Sequence, residues 1–197
     1  MGTKSAASTE AGERDRPMRA DARRNYERVL QAARTVFTER GSDASMDEIA
    51  RLADVGAGTL YRHFPRRIDL VEAVYREDVD ALVALASRVS VEAEPWPALV
   101  QWLDGFVIYA QGKRVFLNEL HEAFEKNPDL ALRSRERIAE AAGMVLARAQ
   151  QAGLARTDID QDDLMQLIGG MCMARSSSLE RSERLLRLVL DGVRSEQ

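Results

Sequence analysis

The chain has 197 residues, 45% of them hydrophobic and 30% charged, with a formal net charge of −4. That length and apolar content allow a sizeable core in one large domain or two small ones, and no apolar run approaches the ~18 residues of a membrane span. Cys172 is the sole cysteine, which excludes an internal disulfide, a zinc finger and a dithiol redox motif and fits a cytoplasmic setting.

Residues 1–21 are small, polar and charged, without the apolar core of a secretory signal, and their composition predicts a disordered tail. Charge is uneven beyond the total. Residues 1–67 carry 13 Lys or Arg against 10 Asp or Glu, and residues 68–197 carry 15 against 22. A mildly positive amino-terminal segment on an acidic remainder suggests that one end alone meets phosphate.

Hydrophobic periodicity is helical nearly throughout. Between Ala22 and Arg40, Tyr26, Val29, Leu30, Ala33, Val36 and Phe37 recur at three- and four-residue steps, and Gly41 ends the helix. Ser45 followed by Glu48 is a capping box that starts a short second helix at Met46, with Ile49, Ala50 and Ala53 facing inward. Asp54 tolerates left-handed geometry, Val55 can plug the core, and Gly56 serves as a cap for a third helix from Ala57 to Phe64. That helix turns Leu60 and Phe64 inward and leaves Thr59, Tyr61, Arg62 and His63 for another surface. The arrangement is a tight helix-turn-helix. Its uncommitted reading is a packing corner with a solvated face.

A further helix opens near Arg67 and carries Leu70, Val71, Val74, Leu82 and Leu85, with Ser87 to Ala93 read as a linker. Next come a helix from Pro97 to Ala110 and another from Lys113 to Lys126. Asn127-Pro128 then makes a capped start to a helix that Gly153 closes. The last two helices span roughly Asp160 to Arg175 and Leu179 to Arg194. With about nine helices, no alternating strand pattern and no fixed repeat, the fold class is all-α.

The run from Met46 to Val74 resembles the DNA-binding segment of the tetracycline-repressor (TetR) family. The family's helix-turn-helix ends in the pattern that stands here, without a gap, as Gly58-Thr59-Leu60-Tyr61-Arg62-His63-Phe64. The resemblance covers about residues 22–80, including Phe37 and Gly41. Two positions depart from it: Gly56 stands where the family often has a capping Ser, and Arg67 where it commonly has Lys. It implies a helix-turn-helix domain over 22–67 and a helical sensor and dimerisation domain over 68–197.

The same resemblance implies a homodimeric regulator, a repressor by expectation, on a double-stranded palindromic operator that a small-molecule effector releases. The expected DNA contacts are Ser45, Ala57, Gly58, Thr59, Tyr61, Arg62, His63 and Arg67. Gly58 lets the backbone come close, Thr59 can bond phosphate or meet a thymine methyl, and Ala57 can do the latter. Arg62 is suited to guanine, and Tyr61 and His63 to phosphate. Ser45 and Arg67 serve as outer phosphate clamps, while Arg23 and Arg24 can follow the backbone or minor groove.

Catalytic groups are not assembled by the sequence, so no enzyme activity, cofactor or metal is expected. His121 lies among Glu119, Glu122 and Glu125, but one His without a second matching cluster reads as a solvated acidic face. Cys172 in an apolar context reads as a buried small hydrophobe. Aromatic and Met residues gather in the carboxy-terminal part, where they read as core. The resemblance adds an effector cavity among Trp102, Phe106, Phe116, Leu120, Phe124, Met144 and Met171. It also pairs the last two helices with those of a partner subunit through Leu186, Val189, Leu190 and Val193, with Gly169 and Gly170 allowing close approach. The alternative function is a ligand-independent adaptor or nucleoid protein.

Overall fold

The computed structural model describes residues 7–173 and 178–195, with side chains from residue 21 onward except 42 and 173. Among these the elements are α1 (Ala7–Arg40), α2 (Met46–Leu52), α3 (Ala57–His63), α4 (Arg67–Glu92), α5 (Pro95–Lys113), α6 (Leu117–Lys126), α7 (Pro128–Gln151), α8 (Gln161–Met173) and α9 (Leu179–Val193), with 3-10 turns at Gly41–Asp43 and Arg114–Phe116. No strand is formed among the described residues; a single antiparallel bridge joins Ala155 to Arg194. The chain divides into compact units at Met1–Leu70 and Val71–Gln197, a division that falls inside α4 rather than at Arg67.

α1 begins at Ala7, ahead of the periodic segment and inside the stretch read as a tail. Its Ala, Glu and Arg are helix formers by propensity alone, whereas periodicity marks only the part that packs. From Val29 on, Val29, Leu30, Ala33, Val36 and Phe37 are buried. α2 packs on α1 and on α3, contributing Met46, Ile49 and Ala50, and α3 contributes Leu60. Phe64 and Ile68 complete this core, and the Phe64 ring lies 5.6 Å from that of Tyr26.

In the second unit α5 occupies the centre, packing against α7, α8 and α9. It accordingly buries a wide face, about half of its circumference, made of Ala98, Leu99, Trp102, Leu103, Phe106, Val107 and Ala110, and leaves Gln101, Asp104 and Ile108 exposed on the other. α5 starts at Pro95, not Pro97, because proline is tolerated throughout a first helical turn. Trp102 is fully buried and its indole N–H donates to the Leu82 carbonyl at 3.1 Å. Gly105 lies close to α4: a methyl there would stand 2.5 Å from Leu85 Cδ2, the end of a side chain that would have to shift. A buried polar pair, Gln111 Nε2 donating to Ser182 Oγ at 2.8 Å, ties α5 to α9.

Several boundaries differ from the sequence reading. Ser87–Ala93 is not a linker, since α4 runs on to Glu92 with Ala86 and Val89 buried. The helix expected from Lys113 opens as a 3-10 turn and becomes α-helical at Leu117. Asn127 makes no side-chain cap, so Pro128 alone marks the start of α7. Gly153 (φ +71°) does close that helix: Leu154 N–H donates to Ala149 O and Gly153 N–H to Gln150 O, both at 2.9 Å, a Schellman motif. α8 gains a reciprocal capping box, with Asp160 accepting from the Asp162 and Asp163 amides at 2.9 Å and Asp163 accepting from Asp160 at 3.2 Å.

The α9 stripe is also corrected. Leu186 and Val193 are buried within the chain, and Val189 and Leu190 are half-buried. Large apolar side chains left outward include Leu188 and Leu179 on α9, 64% and 48% exposed, and Leu167 on α8, 52% exposed. Periodicity identifies a face and not the neighbour that covers it; here that neighbour is α5.

Trp102 fills the centre of the second unit, so Trp102→Ala should lower unfolding stability by about 3–5 kcal/mol through lost burial and a residual cavity. Trp102→Phe should cost less, because most of the buried ring is kept and the carbonyl of Leu82 lies within helix α4. Urea denaturation followed by circular dichroism measures both; equal, small losses would place the indole outside the core.

Candidate nucleic-acid interface

The site is built from two seven-residue helices and the turn between them. Ser45 Oγ accepts the Glu48 amide at 3.1 Å and so caps α2. The Glu48 carboxylate lies 3.7 Å from Arg40 of α1. α2 ends at Asp54, whose φ of +52° is the left-handed conformation that Asp accepts more readily than most residues. Val55 N–H returns to Ala50 O at 3.0 Å. The Val55 side chain is half-buried, so it covers the core edge and does not plug it. Gly56 precedes α3 in extended geometry and makes no side-chain cap, as its composition requires.

α3 then separates two sets of residues. Leu60 is buried, as is Phe64 at the end of the helix, while Ala57, Gly58, Tyr61, Arg62 and His63 are exposed and Thr59 is half-buried. Tyr61 OH reaches Asp47 Oδ1 at 3.4 Å, which orients the ring across α2. A methyl built on Gly58 meets no atom within 4 Å. Nothing inside the protein needs this glycine. Its bare backbone faces outward beside three polar or basic side chains.

Other expected contacts are arranged differently. Arg67 is half-buried and turned into its own domain: its guanidinium donates to the carbonyls of Ala44 and Gly41, the latter at 2.9 Å, and lies 4.8 Å over the Phe37 ring. A phosphate clamp at this position is therefore not what the side chain forms. Arg66 is paired with Asp69. Arg23 and Arg24 are exposed on α1, next to Glu27 and Asp21. Arg28, not singled out in the sequence, bridges α1 to the turn through Asp54 Oδ2 at 3.4 Å and Asp54 O at 3.3 Å. Its distance in sequence from the motif left no signal.

The residues expected to line an effector cavity do not share one environment. Trp102, Phe106, Phe116 and Leu120 are buried, Phe124 and Met171 are half-buried, and Met144 is 46% exposed. An aromatic run connects Trp102 to Phe106 (5.9 Å), Phe106 to Tyr109 (5.8 Å), Tyr109 to Tyr75 (6.4 Å) and Tyr75 to Phe124 (5.3 Å). Tyr75 was missed because it sits far in sequence from the aromatic-rich segment. Burial, followed by the neighbouring Tyr75, raises the Tyr109 pKa far above the ordinary phenol value, so the hydroxyl stays neutral. Lys113 Nζ lies 5.3 Å over the Tyr109 ring, and burial with nearby Arg135 pushes its pKa down.

A groove of about 260 Å³ is bordered by Arg76, Arg133 and Arg137. These are engaged with Glu72, Asp129 and Asp80, so the groove presents paired charge. His121 is exposed and 3.4 Å from Glu125. Among the described residues no group of three His, Cys, Asp or Glu side chains is assembled for a metal. Cys172 is buried and its thiol pKa is pushed up by that burial. No helix among the described residues is long and apolar enough to cross a membrane.

These features define a helix-turn-helix protein with a helical carboxy-terminal unit. Residues 29–74 match the family model for bacterial regulatory proteins of the tetR family, and residues 94–195 match the carboxy-terminal domain model of SbtR-like transcriptional regulators. The chain is 38% identical to the TetR transcriptional regulator SCO0520 from Streptomyces coelicolor, with 87% of this chain and 99% of that one covered and a TM-score of 0.78. It is 35% identical to a TetR transcription regulatory protein from Mycobacterium vanbaalenii, covering 90% and 99% with a TM-score of 0.70. An HTH-type transcriptional regulator of Staphylococcus aureus is 40% identical over 67 residues, which are 34% of this chain and 36% of the relative. The chain therefore spans only about a third of that curated relative. It belongs to the TetR family of transcriptional regulators, whose members are non-enzymatic DNA-binding proteins.

Because Gly58 has open space around it and lies in a helix, Gly58→Ala should leave stability unchanged or raise it by up to about 1 kcal/mol. A DNA backbone or base edge approaching this point would meet the added methyl, so affinity should fall, with ~1–3 kcal/mol the scale of one spoiled interface contact. Thermal melts and fluorescence anisotropy on a bound duplex measure the two effects. Undiminished binding would show that nothing approaches closely there.

Proposed function

We propose that the protein is a cytoplasmic transcriptional repressor that reads a palindromic operator as a homodimer and leaves it when a small apolar or amphipathic molecule occupies its carboxy-terminal unit. The observation that carries the DNA-binding part is the outward face of α3, where open Gly58 stands with Tyr61, Arg62 and His63 over a buried Leu60 and Phe64. In this reading Ser45, Thr59, Tyr61 and His63 hold phosphate and fix orientation. Ala57 and Thr59 meet thymine methyl groups, and Arg62 reads guanine by two parallel hydrogen bonds.

The dimer is supported by Leu167 and Leu188, which are large and outward on two helices that pack on each other. Gly169 and Gly170 add a stretch where a backbone can be approached, since a methyl on either meets nothing within 4 Å. Covering such side chains with a symmetric copy removes them from water and sets two α3 helices on half-sites about 34–36 Å apart, or a multiple of one turn. Light scattering should give a dimer, and Leu167→Glu with Leu188→Glu a folded monomer that loses the palindrome. A wild-type monomer at micromolar concentration would remove this part.

Selection of bound DNA from a random library with the purified protein tests the whole reading. Tyr61→Ala and His63→Ala should weaken binding to all selected sequences alike, whereas Arg62→Ala should relax one base position by about 1–3 kcal/mol. Unchanged affinities for all three variants would reject the α3 assignment.

Effector release is supported by the aromatic run from Trp102 to Phe124, which can surround an apolar body, and by the neutral Tyr109 hydroxyl that can orient a polar end. A ligand-independent adaptor is the second reading, favoured by the full burial of Trp102 and its bond to Leu82. Linkage separates them: a ligand that favours the released state by about 10² supplies ~2.7 kcal/mol, and operator must weaken its binding by the same factor. Equal ligand affinities with and without operator would advance the adaptor.

A further inference from the structure

We infer that Arg67 is a positioning residue of the reading head, holding the start of α2 through two backbone carbonyls instead of touching DNA phosphate. The claim that α3 reads DNA comes from the proposed function; the contacts that hold α2 stand independently of it.

α1 ends where Gly41 turns left-handed (φ +55°), and the carbonyls beyond a helix end lack helical donors. Among the described residues, the backbone bond to Gly41 O is a long one, 3.3 Å from Ala44 N–H. Arg67, the first residue of α4, supplies the strong donors: one Nη to Gly41 O at 2.9 Å and the other to Ala44 O. The guanidinium also stacks on Phe37, a ring with no exposed surface. Ala44 is the residue before the α2 cap, Ser45. One side chain therefore fixes the end of α1 and the entry to α2 on a single buried ring.

The geometry needs arginine. A planar fork can address two carbonyls and lie flat on an aromatic face, whereas an ammonium is a compact point charge that cannot do all three. At the other end of α2, Arg28 bonds Asp54, but both contacts exceed 3.2 Å and the Asp54 side chain is 94% exposed. Such surface pairs contribute little. The entry is thus the firmly held end, and loosening it lets α2 swing, moving Ser45 directly and α3 through its packing on α2.

The experiment uses the full chain with Arg67→Lys and Arg67→Gln, melted thermally and titrated with the selected operator duplex from 50 to 200 mM salt. Both variants should melt lower than wild type. At a temperature where circular dichroism shows both folded, both should bind operator about tenfold more weakly, on the scale of one lost interface contact, with the slope of log affinity against log salt unchanged. Lysine should not rescue. Wild-type affinity in Arg67→Lys, or a slope smaller by about 0.9 in Arg67→Gln, one phosphate's worth, would overturn the proposal and restore a phosphate clamp. Lower melting with unchanged operator affinity would reduce Arg67 to a stabilising contact and overturn positioning. If wild type selects no DNA, the DNA-reading proposal fails by itself; amide exchange at Glu48 and Ile49 still judges the brace, faster in both variants if it holds and unchanged if it does not.

Discussion

Seven residues are too few for a helix to keep its shape alone in water, where even good sequences need about 12–15. Both α2 and α3 are that short. Everything the amino-terminal unit presents outward depends on how these two helices are held from within and at their ends. The apolar hold comes from Ile49, Ala50 and Leu60 against Leu30, Ala33 and Phe37, all buried. The end holds are polar: Ser45 at the entry to α2, left-handed Asp54 at its exit, and the Arg67 guanidinium behind the entry. Because these duties fall to inward or turn residues, the outward face of α3 is freed from structural work. Gly58 could accept a methyl, and Arg62 and His63 need no partner to keep the helix in place. A surface released in this way can carry recognition chemistry without cost to the fold.

The turn departs from the family pattern at Gly56 and α3 still forms. Gly56 lacks the side-chain oxygen of a capping Ser, so α3 forgoes one bond at its start. Thr59 N–H instead closes on Gly56 O at 2.8 Å and Leu60 N–H on the same carbonyl at 3.1 Å, tightening the first turn. What is lost is a side-chain oxygen at the helix start, not the helix.

Legibility followed the kind of physical information that each residue carries locally. Left-handed glycines at 41 and 153, the Ser45 cap and the Asp54 turn were readable because backbone conformation restricts residue type on the spot. The inward and outward sets of α3 followed from helical spacing. The direction of a long charged side chain was not readable: Arg67 has the reach to meet phosphate or to fold back, and only the positions of Gly41, Ala44 and Phe37 decide it. Covering partners were equally hidden. The α9 stripe is a true face, yet Leu186 and Val193 are buried within the chain on a helix that packs against α5, and Leu188 and Leu179 point outward. Ser87–Ala93 was misread for a related reason, since absence of aromatics does not end a helix whose Ala86 and Val89 are buried at three-residue spacing.

In the carboxy-terminal unit the constraint is different, because a helix packed on three others along one wide face cannot move without disturbing several neighbours. α5 meets α7, α8 and α9, and the Gly105 approach to Leu85 and the Trp102 bond to Leu82 tie it to α4. Polar links add to this: Gln111 joins α5 to Ser182 on α9, Arg137 on α7 pairs with Asp80 on α4, and within α5 Lys113 lies over the ring of Tyr109. Tyr109 in turn meets Tyr75 of α4, which meets Phe124 of α6. A molecule that enters beside this run meets rings on α4, α5 and α6 together, so part of its binding energy goes into displacing helices. Close-packed interiors are bistable more readily than they are compliant. Rings that link three helices can therefore couple an occupant to a second packed arrangement of the same helices.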